Sequence, residues 1–407
     1  MNEKPVDIKK YLSDRVLKLE ESPTFALEKK VDMLDGQLKA KGDYVVRFGI
    51  GQPDFNTPDN IKDAAKTAID QNKTKYTAST GIKELKQAIV DKLARDNKLD
   101  YGLENIFVGN GGKQVLDAIM RAFINPQDVI LVPRPYWVSY TQQVVLSEGI
   151  PLEVDFNDLL KIEVVHLKSL IKQYESRIKC LILNSPSNPT GAVYNLKELK
   201  EIAQICVENN IFIISDEVYE KFIFGNAEHI SAAGLGDEVK NITLTVNAVS
   251  KTYAMTGWRI GYIAAHQDII SQMTKIQDQS ASNPCTPAQW AAVEALNGDQ
   301  ESVEAMRREY EKRRDYIYNR LNGIDGIKCS LPEGAFYVFP DVSSFYKGSV
   351  KNSFDFSSEL LEKAYVAVVP GAAFGDDRFV RISYATTMDK IKEGMDRIEK
   401  FCGSLSR

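Results

Sequence analysis

The stretch "IKCLILNSPSNPTGAVYNLKELKEIAQICVENNIFIISDEVY", residues 178–219, decides the fold. An almost wholly apolar run (178–184) leads through a turn of proline, serine and asparagine into an amphipathic helical pattern, and a second apolar run (211–216) follows. Apolar runs of this length, joined through a helix, are typical of parallel strands that are buried on both faces. The stretch therefore predicts one strand–helix–strand unit.

Apolar runs of the same kind continue on both sides of this unit, with helical patterns between most of them. We expect further strands over 105–109, 128–133, 150–154, 242–247 and 261–265. Strands that alternate with helices in this way predict an α/β fold, in which a mostly parallel sheet is sandwiched by helices. Ligands of such sheets bind beyond the carboxyl ends of the strands, so we expect the functional site there.

The pattern changes after about residue 300, where a long charged helix is followed by short strands and a last helix. This arrangement predicts a smaller α+β domain. We expect the helical pattern around 24–41 and the strand pattern at 44–48 to join it, because both precede the parallel series. The expected division is an N-terminal arm with part of the small domain (1–49), a large domain (50–300) and a small C-terminal domain (301–407).

Composition excludes several classes of protein. The chain has 407 residues, 43% of them hydrophobic and 26% charged, with a formal net charge of −5, so a strongly basic nucleic-acid surface is not expected. The five cysteines form no CxxC pair and the three histidines are far apart in sequence, so we expect neither a disulfide framework nor a metal site. No apolar stretch approaches the roughly 20 residues that span a bilayer, and the N-terminus lacks a secretory pattern. We expect a cytoplasmic protein that does not bind membranes.

Reactive side chains follow three of the expected strands. Asn188 lies in the turn after the first apolar run, Asp216 and Tyr219 end the second, and Lys251 follows the strand at 242–247. Each has an ordinary explanation when taken singly: a turn residue, a helix cap, a packing aromatic, and a lysine that reaches water. Because the carboxyl ends of parallel strands share one edge, we expect all four to meet there.

An amine, a carboxylate, a phenol and an amide together suit a pyridine aldehyde. The amine forms a Schiff base, the carboxylate keeps the ring nitrogen protonated, and the other two groups hydrogen-bond the ring oxygen. An attached phosphate would need its own site, for which Ser250, Arg259 and the glycine loop "VGNGGKQVL" (108–116) are candidates. Backbone N–H groups at a helix N-terminus bind anions well.

Six motifs extend this pattern: "GQPDFNTP", "PRPYWVSY", "NSPSNPTG", "SDEVYEKF", "SKTYAMTGWRIGY" and "VRISYA". Together they resemble the class I and II pyridoxal-phosphate aminotransferases of fold type I, and most of all the bacterial and archaeal branch of aspartate aminotransferases. The resemblance runs from about residue 14 to the C-terminus. It implies a pyridoxal 5'-phosphate enzyme with ping-pong Schiff-base chemistry, amino acids and 2-oxo acids as substrates, and a homodimer with shared active sites.

The resemblance also implies a role for individual residues. The catalytic residues are Lys251, which forms the Schiff base and moves the α-proton, Asp216 at the ring nitrogen, and Tyr219. The cofactor-binding residues are Gly111, Gly112, Lys113, Trp137, Asn188, Asp216, Tyr219, Ser250, Lys251, Arg259 and, from the neighbouring subunit, Tyr76. The substrate-binding residues are Gly51, Trp137, Asn188, Arg381, Lys113 and Thr24. Arg378 competes with Arg381 for the substrate α-carboxylate, and no metal ligand is implied.

The expected amino donor is acidic, aspartate or glutamate, with 2-oxoglutarate or oxaloacetate as acceptor. One branch of the family binds the distal carboxylate with an arginine from the segment that corresponds to 279–287, and this segment contains no arginine or lysine here. The branch that this chain resembles uses a lysine of the glycine loop and a threonine near the N-terminus instead. Lys113 and Thr24 occupy those positions and are the candidates for the distal carboxylate. Lys113 has an alternative explanation as a phosphate-side or solvated lysine, and Thr24 as a helix N-cap. Prephenate is a further candidate acceptor, although Glu20 would repel an added carboxylate. The remaining alternatives are an aromatic or other amino acid aminotransferase, a carbon–sulfur lyase and a cofactor-binding regulator.

Overall fold

The computed structural model of the chain describes residues 6–21, 23–40 and 42–405. The strands of this part are β1 Val46–Arg47, β2 Ile106–Gly109, β3 Val129–Pro133, β4 Ile150–Val154, β5 Ile178–Asn184, β6 Phe212–Asp216, β7 Thr243–Ala248, β8 Gly261–Ala264, β9 Tyr337–Val338, β10 Val366–Ala367, β11 Val369–Pro370 and β12 Val380–Ser383. The helices are α1 Asp14–Leu17, α2 Pro23–Lys39, α3 Asp59–Asp70, α4 Lys83–Lys92, α5 Gly112–Phe123, α6 Ser139–Leu146, α7 Val164–Tyr174, α8 Leu196–Glu208, α9 Asp237–Asn241, α10 Val249–Thr252, α11 Gln267–Ser280, α12 Thr286–Asn297, α13 Glu301–Asn322, α14 Ser353–Ala364 and α15 Met388–Leu405.

The large sheet has seven strands in the order β2-β8-β7-β6-β5-β3-β4. Within this sheet β8 runs antiparallel to both of its neighbours, and the other pairs are parallel. The register pairs Asn184 with Asp216 and Asp216 with Val246. The carboxyl ends of β5, β6 and β7 therefore lie side by side, as the sequence predicts.

Alternate residues of the buried strands pack into cores on opposite faces of the sheet. Ile182 of β5 packs in one cluster with Leu116 of α5, whereas Leu183 packs in another with Leu199 of α8. This alternation follows from the period of two of a β-strand. Helices thus cover both faces, and the predicted α/β sandwich is confirmed.

The C-terminal part of the chain packs around a separate core. Helices α13, α14 and α15 contribute large buried side chains, among them Tyr310, Phe356 and Met395, and strands β9 and β12 pair beside them. Strand β1 pairs in parallel with β10, so the N-terminal strand pattern does join the C-terminal part. The domain limits at residues 49/50 and 300/301 remain predictions. No helix of the described ranges is long and apolar enough to cross a bilayer.

Candidate active site

A cavity of about 260 Å³ lies at the carboxyl edge of the large sheet. It collects side chains from segments that are distant in sequence, including the ends of β6 and β7, the start of α5 and the C-terminal strand β12. The predicted residues that line it are Gly51, Gly112, Lys113, Trp137, Asn188, Asp216, Tyr219, Ser250, Lys251, Arg259 and Arg381.

Asp216 is a buried carboxylate at the last position of β6. Its Oδ2 accepts a hydrogen bond of 2.6 Å from the hydroxyl of Tyr140. Burial raises the pKa of Asp216 to about 6, while the hydrogen bond from Tyr140 opposes the rise. Among the described residues Asp216 makes no ion pair, so this carboxylate is suited to a cationic partner that enters the cavity.

Lys251 lies in the one-turn helix α10, three residues beyond the end of β7, whose last residue is Ala248. Its Nζ donates a hydrogen bond of 2.6 Å to the backbone carbonyl of Gly51. Burial lowers the pKa of Lys251 to about 8, and the positive charges of Arg381 and Arg259 act in the same direction. A lysine in these surroundings gives up its proton far more readily than one in water, as a nucleophile or base requires.

Arg381 is buried on β12 at the other side of the cavity. Its two terminal nitrogens donate to Asn188 Oδ1 at 3.0 Å and to the Gly49 carbonyl at 2.7 Å. Its Nε is buried and has no hydrogen-bond partner in the described part of the chain. Arg378, the competing candidate, instead pairs with Asp376 at an exposed position.

Tyr219 is also buried, and its hydroxyl lies 2.8 Å from the hydroxyl of Tyr337. The ring of Tyr337 faces the Arg381 guanidinium, with 4.6 Å between the guanidinium carbon and the ring centroid. Tyr337 therefore contacts both a predicted cofactor residue and a predicted substrate residue.

The loop between β2 and α5 forms one end of the cavity. Gly111 precedes α5 with φ +88°, a conformation that side chains disfavour, and a Cβ at this position would overlap the Arg259 guanidinium. Arg259 donates to the Thr256 carbonyl at 2.8 Å and to the Asn110 carbonyl at 3.3 Å. Its positive charge thus lies beside the N–H groups that begin a 12-residue helix, an arrangement that favours an anion.

Lys113 follows in the first turn of α5. Its Nζ lies 5.0 Å from the ring centroid of Trp137 and has no hydrogen-bond or ion-pair partner among the described residues. Burial lowers the pKa of Lys113, and the charge of Arg259 adds to the effect. The ammonium group is therefore free to meet an anion in the cavity.

Gly111 and Tyr76 are predicted residues that are not among those that line the cavity. Tyr76 is 92% exposed and does not line the cavity. Thr24 belongs to the first turn of α2, and its side chain lies outside the described residues. Glu20, which the sequence places near the substrate side chain, donates its backbone N–H to Gln142 Oε1 at 3.0 Å.

Tyr140, Asn184, Asn247 and Tyr337 are among the cavity-lining residues that sequence reasoning missed. A signal for Tyr140 existed, because it belongs to the motif "PRPYWVSY" and lies three residues after Trp137. Asn184 likewise ends an apolar strand. Tyr337 gave no signal, since β9 is more than 100 residues away from Tyr219 in sequence.

A second cluster of ionisable groups lies outside the cavity. Ligand atoms of Glu217, Glu220 and His229 lie within 4.8 Å of one another. Burial alone would raise the pKa of Glu220, but Lys92 and His229 lower it to about 2. Lys92 and Asn247 donate to Glu220 Oε1, and His229 contacts Glu217. Both carboxylates thus already have hydrogen-bond partners among the side chains of the chain itself, including Ser215 and Ser231 for Glu217.

Known proteins with a similar sequence and a similar fold are numerous. The family model for "Aminotransferase class I and II" matches residues 43–398. An aspartate aminotransferase from Bacillus sp. (strain YM-2) is 47% identical over 97% of this chain and 100% of its own length. A probable aspartate/prephenate aminotransferase from Aquifex aeolicus (strain VF5) is 46% identical over 97% of this chain and 99% of its own.

Solved structures agree with the family match. The aspartate aminotransferase from Rhizobium meliloti superposes with a TM-score of 0.91 at 38% identity, over 96% of this chain and 98% of its own. Class I and II aminotransferases generally depend on pyridoxal phosphate, act on amino acids and 2-oxo acids, and are commonly dimeric. With a buried lysine, carboxylate and arginine around one cavity, the chain belongs to the class I and II aminotransferase family and is a transaminase.

Proposed function

We propose that this transaminase moves an amino group between aspartate or glutamate and a 2-oxo acid, with pyridoxal 5'-phosphate as its cofactor. The observation that carries the choice of substrate is Lys113, a cavity-lining ammonium group without a partner among the described residues. Three further cations, Lys251, Arg259 and Arg381, line the same cavity. An acidic amino acid brings two carboxylates, which Arg381 and Lys113 would meet separately.

The residues of the cavity fit pyridoxal phosphate. Buried Asp216 would keep the ring nitrogen protonated. The positive charge of the ring would offset the desolvation that raises the pKa of Asp216. The phosphate would be held by Arg259, Ser250 and the backbone N–H groups after Gly111. Glycine at position 111 leaves room for Arg259 there, because a side chain would overlap its guanidinium.

Three other side chains would contact the ring. Trp137 would cover one of its faces, and Tyr219 with Asn188 would hydrogen-bond the ring oxygen. When bound, pyridoxal phosphate supplies an aldehyde that exchanges amines and a ring that accepts the electron pair left by a departing α-proton.

Lys251 would transfer the α-proton of the substrate. Because its pKa is lowered to about 8, a usable fraction of the amine is neutral near neutral pH and can accept the α-proton of the substrate. The same amine then returns a proton to the neighbouring reacting carbon. Since the first 2-oxo acid leaves before the second one binds, we expect ping-pong kinetics.

Arg381 positions the substrate. Its guanidinium is already oriented by Asn188, by the Gly49 carbonyl and by the ring of Tyr337. A planar guanidinium binds a carboxylate through two parallel hydrogen bonds, so it fixes the angle as well as the charge of the α-carboxylate. The buried, unpartnered Nε supports a ligand at this position.

Lys113 would select the distal carboxylate of the donor. A carboxylate without a cation in a largely buried cavity costs several kcal/mol, so an acidic donor depends on this lysine. We expect Lys113→Ala to lower kcat/KM for aspartate at least about 10-fold relative to phenylalanine, a change of roughly 1.4 kcal/mol.

The matched control is Lys83→Ala, which removes an exposed lysine at the first position of another helix, α4. This variant should leave kcat/KM for both aspartate and phenylalanine unchanged. A wild-type preference for phenylalanine, or an equal loss for both donors in Lys113→Ala, would contradict the acidic donor. A separate assay with prephenate as acceptor tests the second candidate, which the name of the Aquifex aeolicus relative favours.

A further inference from the structure

The segment "GIGQPDFNT", residues 49–57, is called here the 49–57 loop. Its backbone contacts two cations of the active site. The Gly49 carbonyl accepts from Arg381 at 2.7 Å, and the Gly51 carbonyl accepts from Lys251 at 2.6 Å. The position of this loop therefore affects the orientation of Lys251, which would move the proton, and of Arg381, which would orient the substrate.

Hydrogen bonds fix both ends of the loop. Phe48, just before it, donates to the Ala367 carbonyl at 2.9 Å. At the other end the Thr57 hydroxyl donates to the Ala254 carbonyl at 2.7 Å and accepts from Trp258 Nε1 at 3.0 Å. The residues between these ends have irregular backbone, so a regular strand ladder does not hold them in place.

A buried arginine of α13 holds the middle of the loop. Nη1 of Arg313 donates to Asp54 Oδ1 at 2.8 Å, and the two side chains are 6% and 22% exposed. The guanidinium also faces the rings of Phe55 at 5.1 Å and Tyr310 at 5.5 Å, and its Nε donates to Glu309 at 3.0 Å. Charge-assisted hydrogen bonds are stronger than neutral ones, and burial of the guanidinium limits screening by water.

We propose that Asp54 and Arg313 are positioning residues for the transamination. Their ion pair holds the 49–57 loop so that the Gly49 and Gly51 carbonyls orient Arg381 and Lys251. This inference rests on the roles proposed for Arg381 and Lys251. Because Arg381 serves the α-carboxylate that every amino acid carries, loss of the pair should weaken all donors alike, unlike loss of Lys113.

Asp54→Asn removes the charge and keeps the size of the side chain. In the holoenzyme we expect kcat/KM to fall about 10-fold for both aspartate and phenylalanine, with their ratio unchanged within about twofold. Hydrogen–deuterium exchange should become faster in peptides that cover the 49–57 loop, with and without cofactor, because opening of this segment becomes easier.

The matched control is Asp315→Asn. It removes one of the two carboxylate partners of Arg314, the neighbouring buried arginine on the same helix: Asp315 lies at 2.6 Å and Glu311 at 3.6 Å. This variant should keep wild-type kinetics and wild-type exchange in the loop. Arg313→Lys repeats the test if Asp54→Asn does not fold. An ammonium group lacks the planar geometry with which the guanidinium bonds Asp54 and Glu309 together, so the pair is weakened and a loss of about threefold with an unchanged donor ratio is expected.

Wild-type kinetics and loop exchange in a folded Asp54→Asn or Arg313→Lys variant would overturn the inference. Faster exchange throughout the protein with a lower Tm would overturn it as well, because the pair would then serve stability alone. If the wild type turned over neither donor, the proposed function would be contradicted instead. Hydrogen–deuterium exchange of the wild type and the variants would then still show whether the Asp54–Arg313 pair holds the 49–57 loop.

Discussion

Asp216 and Lys251 are shifted in opposite directions by one cause. Burial raises the pKa of Asp216 to about 6 and lowers the pKa of Lys251 to about 8, so it favours the neutral form of each. In the cofactor-free chain this carboxylate is therefore an unfavourable charge at neutral pH. A cation beside it would turn the same carboxylate into a stabilising partner.

Cofactor-free Asp216→Asn should be more stable than cofactor-free wild type at neutral pH. Because the folded pKa of Asp216 is raised to about 6, its stabilising contribution is full below its ordinary value of 3.8 and is lost as pH rises through 6. Asparagine does not ionise, so the advantage of the variant should grow between pH 4 and pH 7 to about 3 kcal/mol.

Urea unfolding of both proteins at pH 4.5 and pH 7.5 measures this difference. Asp237→Asn, at an exposed position of α9, is the control, and its difference from wild type should not change with pH in this way. An advantage of Asp216→Asn that is equal at both pH values would show that ionisation of Asp216 is not the cause.

The sequence located half of the residues that line the cavity, but not the hydrogen bonds between them. Lys251, Asp216 and Asn188 could be placed together because each follows a strand whose direction the pattern predicts. Tyr140 and Tyr337 were missed because their importance lies in hydrogen bonds to Asp216 and Tyr219, which depend on three-dimensional packing. The functional roles of all these residues stay predictions until they are tested.

At the scale of elements, the loop from β2 into α5 depends on a single backbone conformation. Gly111 combines φ +88° with ψ 161°, a region that residues with a side chain rarely adopt, at a cost of about 1–3 kcal/mol. We expect Gly111→Ala to displace Arg259 and to weaken pyridoxal phosphate binding at least about 10-fold. Equilibrium dialysis of the cofactor-free protein measures the change.

Gly236→Ala is the control for Gly111→Ala, because it introduces backbone strain without an overlap between side chains. Gly236 precedes helix α9 with φ +134° and ψ 166°, and a Cβ there would meet no atom within 4 Å. It should lose stability but keep cofactor affinity. Equal affinity of Gly111→Ala and wild type would contradict an anion site at this loop.

Strand positions followed closely from the sequence, because buried strands are nearly continuous apolar runs with clear ends. All seven expected strands of the large sheet are present, with bounds that differ by one residue at most. The antiparallel direction of β8 could not be predicted, since strand direction is indicated only by a long helical pattern between two strands, and only a short segment joins β7 to β8. The one-turn helix α10 was missed because four residues are too few to show a helical period.

At the scale of the whole molecule, Tyr76 indicates a partner. Tyr76 is 92% exposed, makes no side-chain hydrogen bond in the described part of the chain, and stands in a position that resembles a phosphate-binding tyrosine of the family. We expect a homodimer in which Tyr76 of each subunit serves the site of the other, and a two-fold axis makes this exchange reciprocal.

Mixing Lys251→Ala with Tyr76→Ala tests the shared site. Both variants alone should be nearly inactive, but a hybrid dimer contains one site with both residues intact. After subunit exchange, half of the dimers are hybrids, so about a quarter of wild-type activity should return. Activity no higher than the sum of the separate variants, or an active monomer in sedimentation, would contradict the shared site.

The antiparallel pairing of β7 and β8 has a consequence for the choice of bound molecule. Asn247 pairs with Tyr262 and Ala248 with Gly261, so Lys251 and Arg259 both belong to the turn between two hydrogen-bonded strands. The span between amine and guanidinium is thus set by one short continuous piece of chain. We expect this segment to favour a molecule whose aldehyde and anion are separated by a matching distance.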